Sequence, residues 1–406
     1  MKLKLYEKYK QSGIDWIEEI PEDWEVRRVK DVCNSFDYIR IPLSGELRGK
    51  MDNQKYDYYG ASGIIDKVED YLFNGIYILI GEDGANLLSR TKPLAFLANG
   101  KFWVNNHAHI IKPKKYNNIN YFVNALESLD YSIWVSGAAQ PKLTQEALNN
   151  VCLYYPPRQT QTKIANYLDQ KTAQIDKKIN LLEQKLSKYE ELKKTLINET
   201  VCRGLDKNVE LKESGVEWIG KIPKYWEVKR VKDVFNIGRG RVIAQTELIE
   251  NGKYPVYSSQ TENEGCLGYI NTFDFNKQLL TWTTDGVNAG TIFQRKGKFN
   301  CTNICGTLFP KNKKLNLNYQ KFALQISATN NKRIDTNGAK IMNNEMKIIK
   351  IVFPPPFEQI QIANYLNEKC NKIDKIRTTL KREITLLKEF RKTLINDVVT
   401  GKVKVN

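Results

Sequence analysis

Two long stretches of the chain place apolar residues at every seventh position and polar residues almost everywhere between. In the first, Leu168, Ile175, Leu182, Tyr189 and Leu196 recur at that spacing, with Ile179 and Leu186 at the alternate position. In the second, Leu366, Ile373, Leu380, Leu387 and Leu394 do the same. Such a heptad seam predicts two long helices, each with an apolar stripe that it cannot hide alone. The two are expected to pair with each other, either as an exposed coiled-coil spacer or as a packing hairpin inside a core. From Leu168 to Thr200 the helix would be on the order of 50 Å long. Pro156-Pro157 and Pro354-Pro355-Pro356 stand just upstream, where proline ends one element and precedes a helix start.

Elsewhere the pattern is that of short strands. Runs such as Ile76-Tyr77-Ile78-Leu79-Ile80 and Leu279-Leu280-Thr281-Trp282-Thr283 are bounded by Gly and Asn turns, with one short helix expected near 121–129 and another near 319–327. Residues 34–151 and 235–352 therefore read as two α/β (α+β) domains, each large enough for its own core.

The chain is written twice. Residues 12–32, SGIDWIEEIPEDWEVRRVKDV, return 202 residues later as SGVEWIGKIPKYWEVKRVKDV, with 14 of 21 positions identical. The heptad segments share IANYL at their start and KTLIN at their end, 198 residues apart. Each half is a similar front, a divergent middle and a similar back, so a pseudo-twofold repeat is expected. The boundaries that follow are a first α/β domain at 1–151, a first helix region at 152–204, a second α/β domain at 205–352 and a second helix region at 353–406.

Charge then narrows the partner. Lys and Arg number 63 against 46 Asp and Glu, a net +17, in a chain that is 41% hydrophobic. That balance describes a globular protein facing a polyanion, with nucleic acid the first candidate. No apolar run spans a membrane and the start lacks a secretory stretch, which predicts a cytoplasmic protein without a membrane partner. Seven scattered cysteines predict reduced thiols, and the close pair Cys301 and Cys305 lacks the further ligands of a zinc site.

Catalytic tools are missing from the sequence. Gly45-Glu46-Leu47-Arg48-Gly49-Lys50-Met51 has neither the spacing nor the hydroxyl of an ATP-binding loop. Pro354 stands where an amino-methyltransferase needs Asn or Asp before Pro-Pro-Phe, and Glu227-Val228-Lys229 is too short a match to make a nuclease. His107 and His109, the only histidines, are expected to share one strand face, with base-edge or packing roles favoured over metal. No catalytic residue and no metal site is assigned.

What the middles do carry is hydrogen-bonding side chains on turns, the kind that read base edges, with Lys and Arg nearby for phosphates. The candidates in the first half are Tyr58, Tyr59, Ser62, Asn86, Arg90, Lys101, Asn105, Asn106, His107, Gln140 and Lys142. Those in the second are Tyr257, Ser258, Ser259, Gln260, Asn288, Arg295, Lys298, Thr302, Asn303 and Lys340. Ordinary turn chemistry would also select many of these residues.

With SGxxWIxxIPxxWExxRVKDV, the paired IANYL-to-KTLIN helices, and the YYGASG, GEDGAN and GKFWVNNHAH runs in view, the chain resembles the specificity subunits of type I restriction-modification systems over its whole length. The resemblance implies two target-recognition domains joined by two antiparallel helices, with the chain ends closing a circular arrangement. It implies that each domain reads one half of a split site on double-stranded DNA while the helices set the gap. It further implies docking of two modification subunits that carry S-adenosylmethionine and methylate adenine, and of restriction subunits that use ATP and Mg. No cofactor is expected on this chain. A self-sufficient nuclease or methyltransferase, and an RNA-binding coiled-coil scaffold, are the alternatives.

Overall fold

The computed structural model describes residues 4–137, 140–335 and 338–405, and of Asp335 the backbone alone. Two compact units emerge: Met1–Glu183 together with Arg382–Asn406, and Gln184–Lys381. Each combines one recognition domain with a segment of both long helices.

In the first unit a six-stranded sheet is built from β1 (Cys33–Ser35), β2 (Tyr56–Gly60), β3 (Gly63–Val68), β4 (Phe73–Gly81), β5 (Ala95–Val104) and β6 (Ala108–Pro113), in the order β1-β6-β4-β5-β2-β3. All neighbours are antiparallel except β2 and β5. Helix α1 (Ile119–Ser128) covers one face, its start fixed by Asn118, whose side chain accepts from the Asn120 and Tyr121 amides. Buried Tyr121 donates to the Tyr154 carbonyl at 2.8 Å, tying α1 to the strand Cys152–Tyr155, which in turn pairs with Glu25–Arg28 of the front segment.

The long helix α2 (Arg158–Arg203) begins directly after Pro156-Pro157, ten residues before Leu168. The second unit then repeats the plan with β7 (Phe235–Arg239), β8 (Tyr254–Tyr257), β9 (Cys266–Ile270), β10 (Leu279–Thr283), β11 (Ile292–Arg295), β12 (Lys298–Cys301), β13 (Cys305–Pro310) and helix α3 (Leu317–Asn331). Asn316 caps α3 as Asn118 caps α1, and Tyr319 donates to the Val352 carbonyl at 3.0 Å. One difference is topological. The continuous β5 of the first unit is interrupted in the second at Lys296-Gly297, giving separate sheets β7-β13-β10-β11 and β9-β8-β12 with Phe275–Asn276 at its edge.

The second long helix, α4 (Pro356–Val399), has Pro356 as its first residue, a position where a missing N–H costs nothing. Within the first unit, Asp176 and Glu183 of α2 meet Arg391 and Lys388 of α4, and Lys178 meets Glu383. Within the second, Lys193 meets Asp374 at 2.6 Å and Glu190 meets Arg377 at 2.6 Å. From Asp176–Arg391 to Glu183–Lys388 in the first unit, and from Glu190–Arg377 to Lys193–Asp374 in the second, a rising number on α2 meets a falling one on α4, so the helices run antiparallel in each unit. The heptad positions face inward: Leu168, Ile175, Leu366, Ile373, Leu380 and Leu394 are buried, and Leu182, Tyr189, Leu196 and Leu387 are half-buried.

The conserved front segments anchor the helix ends. After α2, Gly204 turns with φ +77°, and its Cα passes so close to buried Trp226 that a Cβ would lie 3.0 Å from the ring. After α4, Gly401 turns with φ +77° in the same way, where a Cβ would lie 2.6 Å from Pro21 and 3.3 Å from Trp24. Glycine is the residue that reaches this left-handed exit without strain. The tryptophans of the repeated WE dipeptides are thus packing posts for helix exits, and Lys4 pairs with Lys404 beside the first of them.

Candidate nucleic-acid interface

At one end of each unit's β-structure four loops are stitched together by the same backbone bonds. In the first unit Asn105 N donates to Tyr59 O (3.0 Å), Glu82 N to His107 O (2.9 Å) and Leu143 N to Glu82 O (2.8 Å), while Asp83 and Lys142 bridge. In the second, Thr302 N donates to Tyr257 O (2.9 Å), Thr284 N to Ile304 O (3.1 Å) and Ile341 N to Thr284 O (2.9 Å), while Asp285 and Lys340 bridge. One backbone frame therefore presents two different sets of side chains.

The frame is held differently beneath each rim. Under the first lies a buried ionic network that the sequence reading missed: His109 Nδ1 sits 2.6 Å from Asp37, whose other oxygen accepts from the Ile110 amide at 2.7 Å. Arg40 bridges Asp37 and Glu82, and Lys142 reaches Glu82 at 3.3 Å. His109 Nε2 bonds the Leu143 carbonyl at 2.8 Å. In the second unit the position equivalent to His109 is Gly306, and a Cβ there would lie 2.2 Å from the Trp282 ring. That indole fills the space and donates to the Ile341 carbonyl at 2.9 Å, the counterpart of Leu143. A ring nitrogen thus anchors the same loop carbonyl from opposite members of a strand pair, Ile80 with His109 in one unit and Trp282 with Gly306 in the other.

Glu82 makes the first network sensitive to acid. Burial alone would raise its pKa, but the hydrogen bond from Arg40, with His109 and Lys142, outweighs burial and pulls it below the usual glutamate range. A carboxylate ionised more readily folded than unfolded stabilises the fold above about pH 4.3, and that contribution disappears as pH falls through the lower folded value. Thermal unfolding of Glu82→Gln is expected to show a shallower loss of stability between about pH 5 and 3 than the parent chain. Parallel acid limbs would assign the network no part in it.

The histidine expectation is corrected. His107 lies in the turn between β5 and β6, is exposed, and meets Asp83 at 2.8 Å; His109 lies on β6 and is fully buried. His107 belongs to the turn, one residue before β6 begins at Ala108, so the two share no strand face. Among the described residues no group of three or more His, Cys, Asp or Glu is placed to hold a metal, and no helix is long and apolar enough to cross a membrane.

The remaining candidates divide by exposure. At the first rim Asn106, His107, Gln140 and Lys142 are exposed and Ser62 is half-buried, with Ala138 and Ala139 outside the described residues. Lys101 is exposed but away from the turn, its ammonium 4.5 Å from the Tyr71 ring. Tyr58, Tyr59 and Asn105 are buried: the Leu43 amide donates to Tyr58 at 3.0 Å, and Asn105 Oδ1 accepts from His107 N. Asn86 folds its amide onto Lys92, and Arg90 is engaged by Glu127 and the Leu129 carbonyl. At the second rim Asn303 is exposed, and Ser259, Gln260, Asn288 and Lys340 are half-buried. Lys298 is exposed over Phe273. Tyr257 is half-buried beneath Arg295, while Ser258, Thr302 and Arg295 are buried, with Thr302 donating to Ser258 at 3.2 Å. Arg239, absent from the candidates, donates to the Asn303 carbonyl at the rim.

A duplicated β-sheet domain with a variable loop rim and a shared heptad back is the architecture of a two-headed recognition protein. The family profile of the type I restriction modification DNA specificity domain matches residues 21–187 and again 223–386, and the chain belongs to that family. A putative type I specificity subunit of Mycoplasma pneumoniae, S.MpnORF365P, is 34% identical over 235 residues, covering 57% of this chain and 81% of the relative. The type I restriction enzyme MpnII specificity subunit of the same organism is 39% identical over 150 residues, 36% of this chain and 45% of its own. Among solved structures, a chain from a study of assembly and conformational transition in the type I R-M system shares the fold, with a TM-score of 0.68 at 13% identity over 94% of this chain and 98% of that one. The protein is thus a non-catalytic DNA-recognition subunit that acts with other restriction-modification subunits.

Proposed function

We propose that each loop rim reads one half of a bipartite site on double-stranded DNA, and that α2 and α4 set the gap between the halves. The observation that carries this is the identical backbone frame with divergent side chains: a shared scaffold can be aimed twice while each set of exposed residues selects different bases. Asn106, His107, Gln140 and Lys142 are the base-reading and phosphate-holding group of the first rim, and Asn303, Ser259, Gln260, Asn288 and Lys340 that of the second. The buried candidates Tyr58, Tyr59, Asn105, Ser258 and Thr302 act from below by holding the loops. The protein works in the cytoplasm, where its target lies.

Two modification subunits dock on the helices and bring S-adenosylmethionine and adenine methylation; restriction subunits bring ATP and Mg. A duplicated apolar knob supports two equivalent docking places. Leu192 and Phe390 occupy the same position of the repeat and are 51% and 54% exposed, whereas other exposed apolar residues of the helices, such as Leu181 and Leu386, have polar counterparts in the repeat. Leu192→Glu is expected to leave one modification subunit bound in native mass spectrometry, Phe390→Glu likewise, and the double variant none. Retention of both subunits by the double variant rejects this surface.

The direct test is binding and turnover. The chain with its modification subunits should bind target duplex with affinity falling steeply as salt rises, because Lys and Arg release counterions from phosphate. The chain alone with S-adenosylmethionine or Mg should turn nothing over. Turnover by the chain alone, or preference for single-stranded RNA, contradicts the proposal.

A further inference from the structure

The cores beneath the two rims are built from matching positions, yet one is apolar and the other is not. Strand register aligns them: Leu79 opposite Ile110 corresponds to Thr281 opposite Thr307, Tyr77 opposite Ala98 to Leu279 opposite Arg295, and Gly81 opposite Ala108 to Thr283 opposite Cys305. Tyr59 beside Val104 corresponds to Tyr257 beside Cys301. Leu79, Ala98, Val104, Ala108 and Ile110 of the first unit thus become Thr281, Arg295, Cys301, Cys305 and Thr307 in the second, and all ten are buried.

The substituted core is not satisfied internally. Arg295 is 3% exposed, donates to Thr281 at 3.3 Å and lies 3.6 Å from the Tyr257 ring centre; among the described residues no carboxylate forms an ion pair with it, and Glu264 acts on its charge only through space. Among the described residues the Arg295 Nη2 and the Thr307 hydroxyl have no hydrogen-bond partner. Burying a guanidinium and a hydroxyl in that state is costly, and such costs persist where a function requires them. The groups that act on the Arg295 charge are Tyr257, the Cys305 and Cys301 thiols and, more weakly, Glu264. Cys301 and Cys305 share one buried cluster with Leu279 and Phe299 and flank the turn that the Cys305 amide closes on the Thr302 carbonyl at 3.0 Å, and the Cys301 S–H draws the Cys305 pKa down against burial, with the Arg295 charge adding to the effect. The same contact and burial push Cys301 up. Buried Cys33 and Cys202 behave oppositely to Cys305, pushed up by burial to about 12 and about 11.

A strained cover lies over this cluster. Asn263 and Glu264 have φ +47° and +55°, followed by Gly265 at +82°, three consecutive left-handed residues of which two carry side chains. A Cβ on Gly265 would lie 3.0 Å from Arg295 Nη2. Left-handed backbone costs roughly 1–2 kcal/mol per non-glycine residue, so this turn opens more readily than a relaxed one.

We propose that Cys301 and Cys305 are a redox-active dithiol, oxidised by a hydroperoxide to a disulfide that resets the rim turn 302–304 of the second recognition domain. The Cys305 thiolate attacks one peroxide oxygen, the O–O bond breaks, and the departing alkoxide or hydroxide takes up the proton that the Cys305 thiol had released and leaves as an alcohol or water, with a sulfenic acid remaining on Cys305. The Cys301 sulfur then attacks the Cys305 sulfur and expels hydroxide, which departs as water with the Cys301 proton. The dithiol loses two electrons and the hydroperoxide gains them. The bond spans Thr302, Asn303 and Ile304 and removes the thiol counter-charge from Arg295, the support of Tyr257. Its consequence for DNA rests on the half-site reading above.

The test uses the full chain, reduced and then exposed to hydrogen peroxide while folded. Cleavage after Lys298 and Lys311 frees residues 299–311, which hold Cys301 and Cys305 and no other cysteine. This peptide is expected to become about 2 Da lighter while Cys33 and Cys202 stay alkylatable, and Cys301→Ser should abolish that product. A peptide that stays reduced, or is oxidised no faster than Cys33 and Cys202, overturns the proposal. In the assembled complex, oxidation should weaken discrimination at the second half-site about tenfold, roughly one such step being 1.4 kcal/mol, with recovery on reduction. A disulfide that leaves discrimination unchanged overturns the switch. Absence of half-site discrimination in the reduced complex fails the DNA reading instead, and the peptide result decides the dithiol on its own.

Discussion

Asp37→Ala is expected to unfold the first rim, destabilising that unit by about 3–5 kcal/mol. The carboxylate is buried and holds three groups at once: His109 at 2.6 Å, the Ile110 amide at 2.7 Å and Arg40 at 3.5 Å. Its loss leaves the imidazole without its carboxylate in a buried site and an amide without an acceptor, the situation in which buried networks fail hardest. A unit of about 200 residues then melts roughly 10 °C lower, at 2–4 °C per kcal/mol. Hydrogen exchange should increase at residues 105–110 and 141–144 and stay unchanged at 284–306, because the second rim is fastened by Trp282 and Gly306 instead. A cost below about 1 kcal/mol would mean that the network is incidental to the fold.

Lengthening both helices by seven residues is expected to widen the recognised gap by up to about three base pairs while both half-sites persist. Seven residues add about 10.5 Å of helix, and duplex DNA rises about 3.4 Å per base pair. A whole heptad keeps the apolar seam in phase, so Leu168, Ile175, Leu380 and Leu394 and their partners continue to face inward. Inserting three or four residues would rotate the seam and uncouple the helices. Mapping the methylated sites of the lengthened complex gives the gap directly, and an unchanged gap removes the ruler role from α2 and α4.

The architecture was legible because repetition is legible. A seven-residue period held over four heptads fixes a helix and its buried face, and an internal copy fixes that there are two. Pro156-Pro157 and Pro356 marked the helix starts for a local reason, the missing N–H. The short strands Ile76–Ile80 and Leu279–Thr283 followed from their β-branched and apolar runs between turns. The rims were less legible, since whether a polar turn residue points outward depends on contacts distant in sequence. Tyr58 and Asn105 look like readers in the sequence and are buried because Leu43 and His107 bond to them. Asp37 and Arg40 lie in a stretch with no periodic signal, and meet His109 and Glu82 only once β1 is aligned beside β6. The one signal available was the replacement of a histidine by Gly306 in the second copy together with a new Trp282, a compensated exchange visible only by comparing the halves.

That comparison also explains how two recognition domains diverge without losing a common frame. Hydrogen bonds between main-chain atoms specify the loops, so the side chains beneath them can change from an ionic network to an indole, or from aliphatic residues to Arg295 and two thiols, provided volume and anchoring are kept.

The decisive measurement is a map of methylated adenines produced by the modification complex carrying this chain, compared with one in which residues 34–151 come from a different recognition domain. The account predicts a split motif of which one half changes while the other half and the gap stay as they were. A motif that changes in both halves, or that is continuous rather than split, contradicts it.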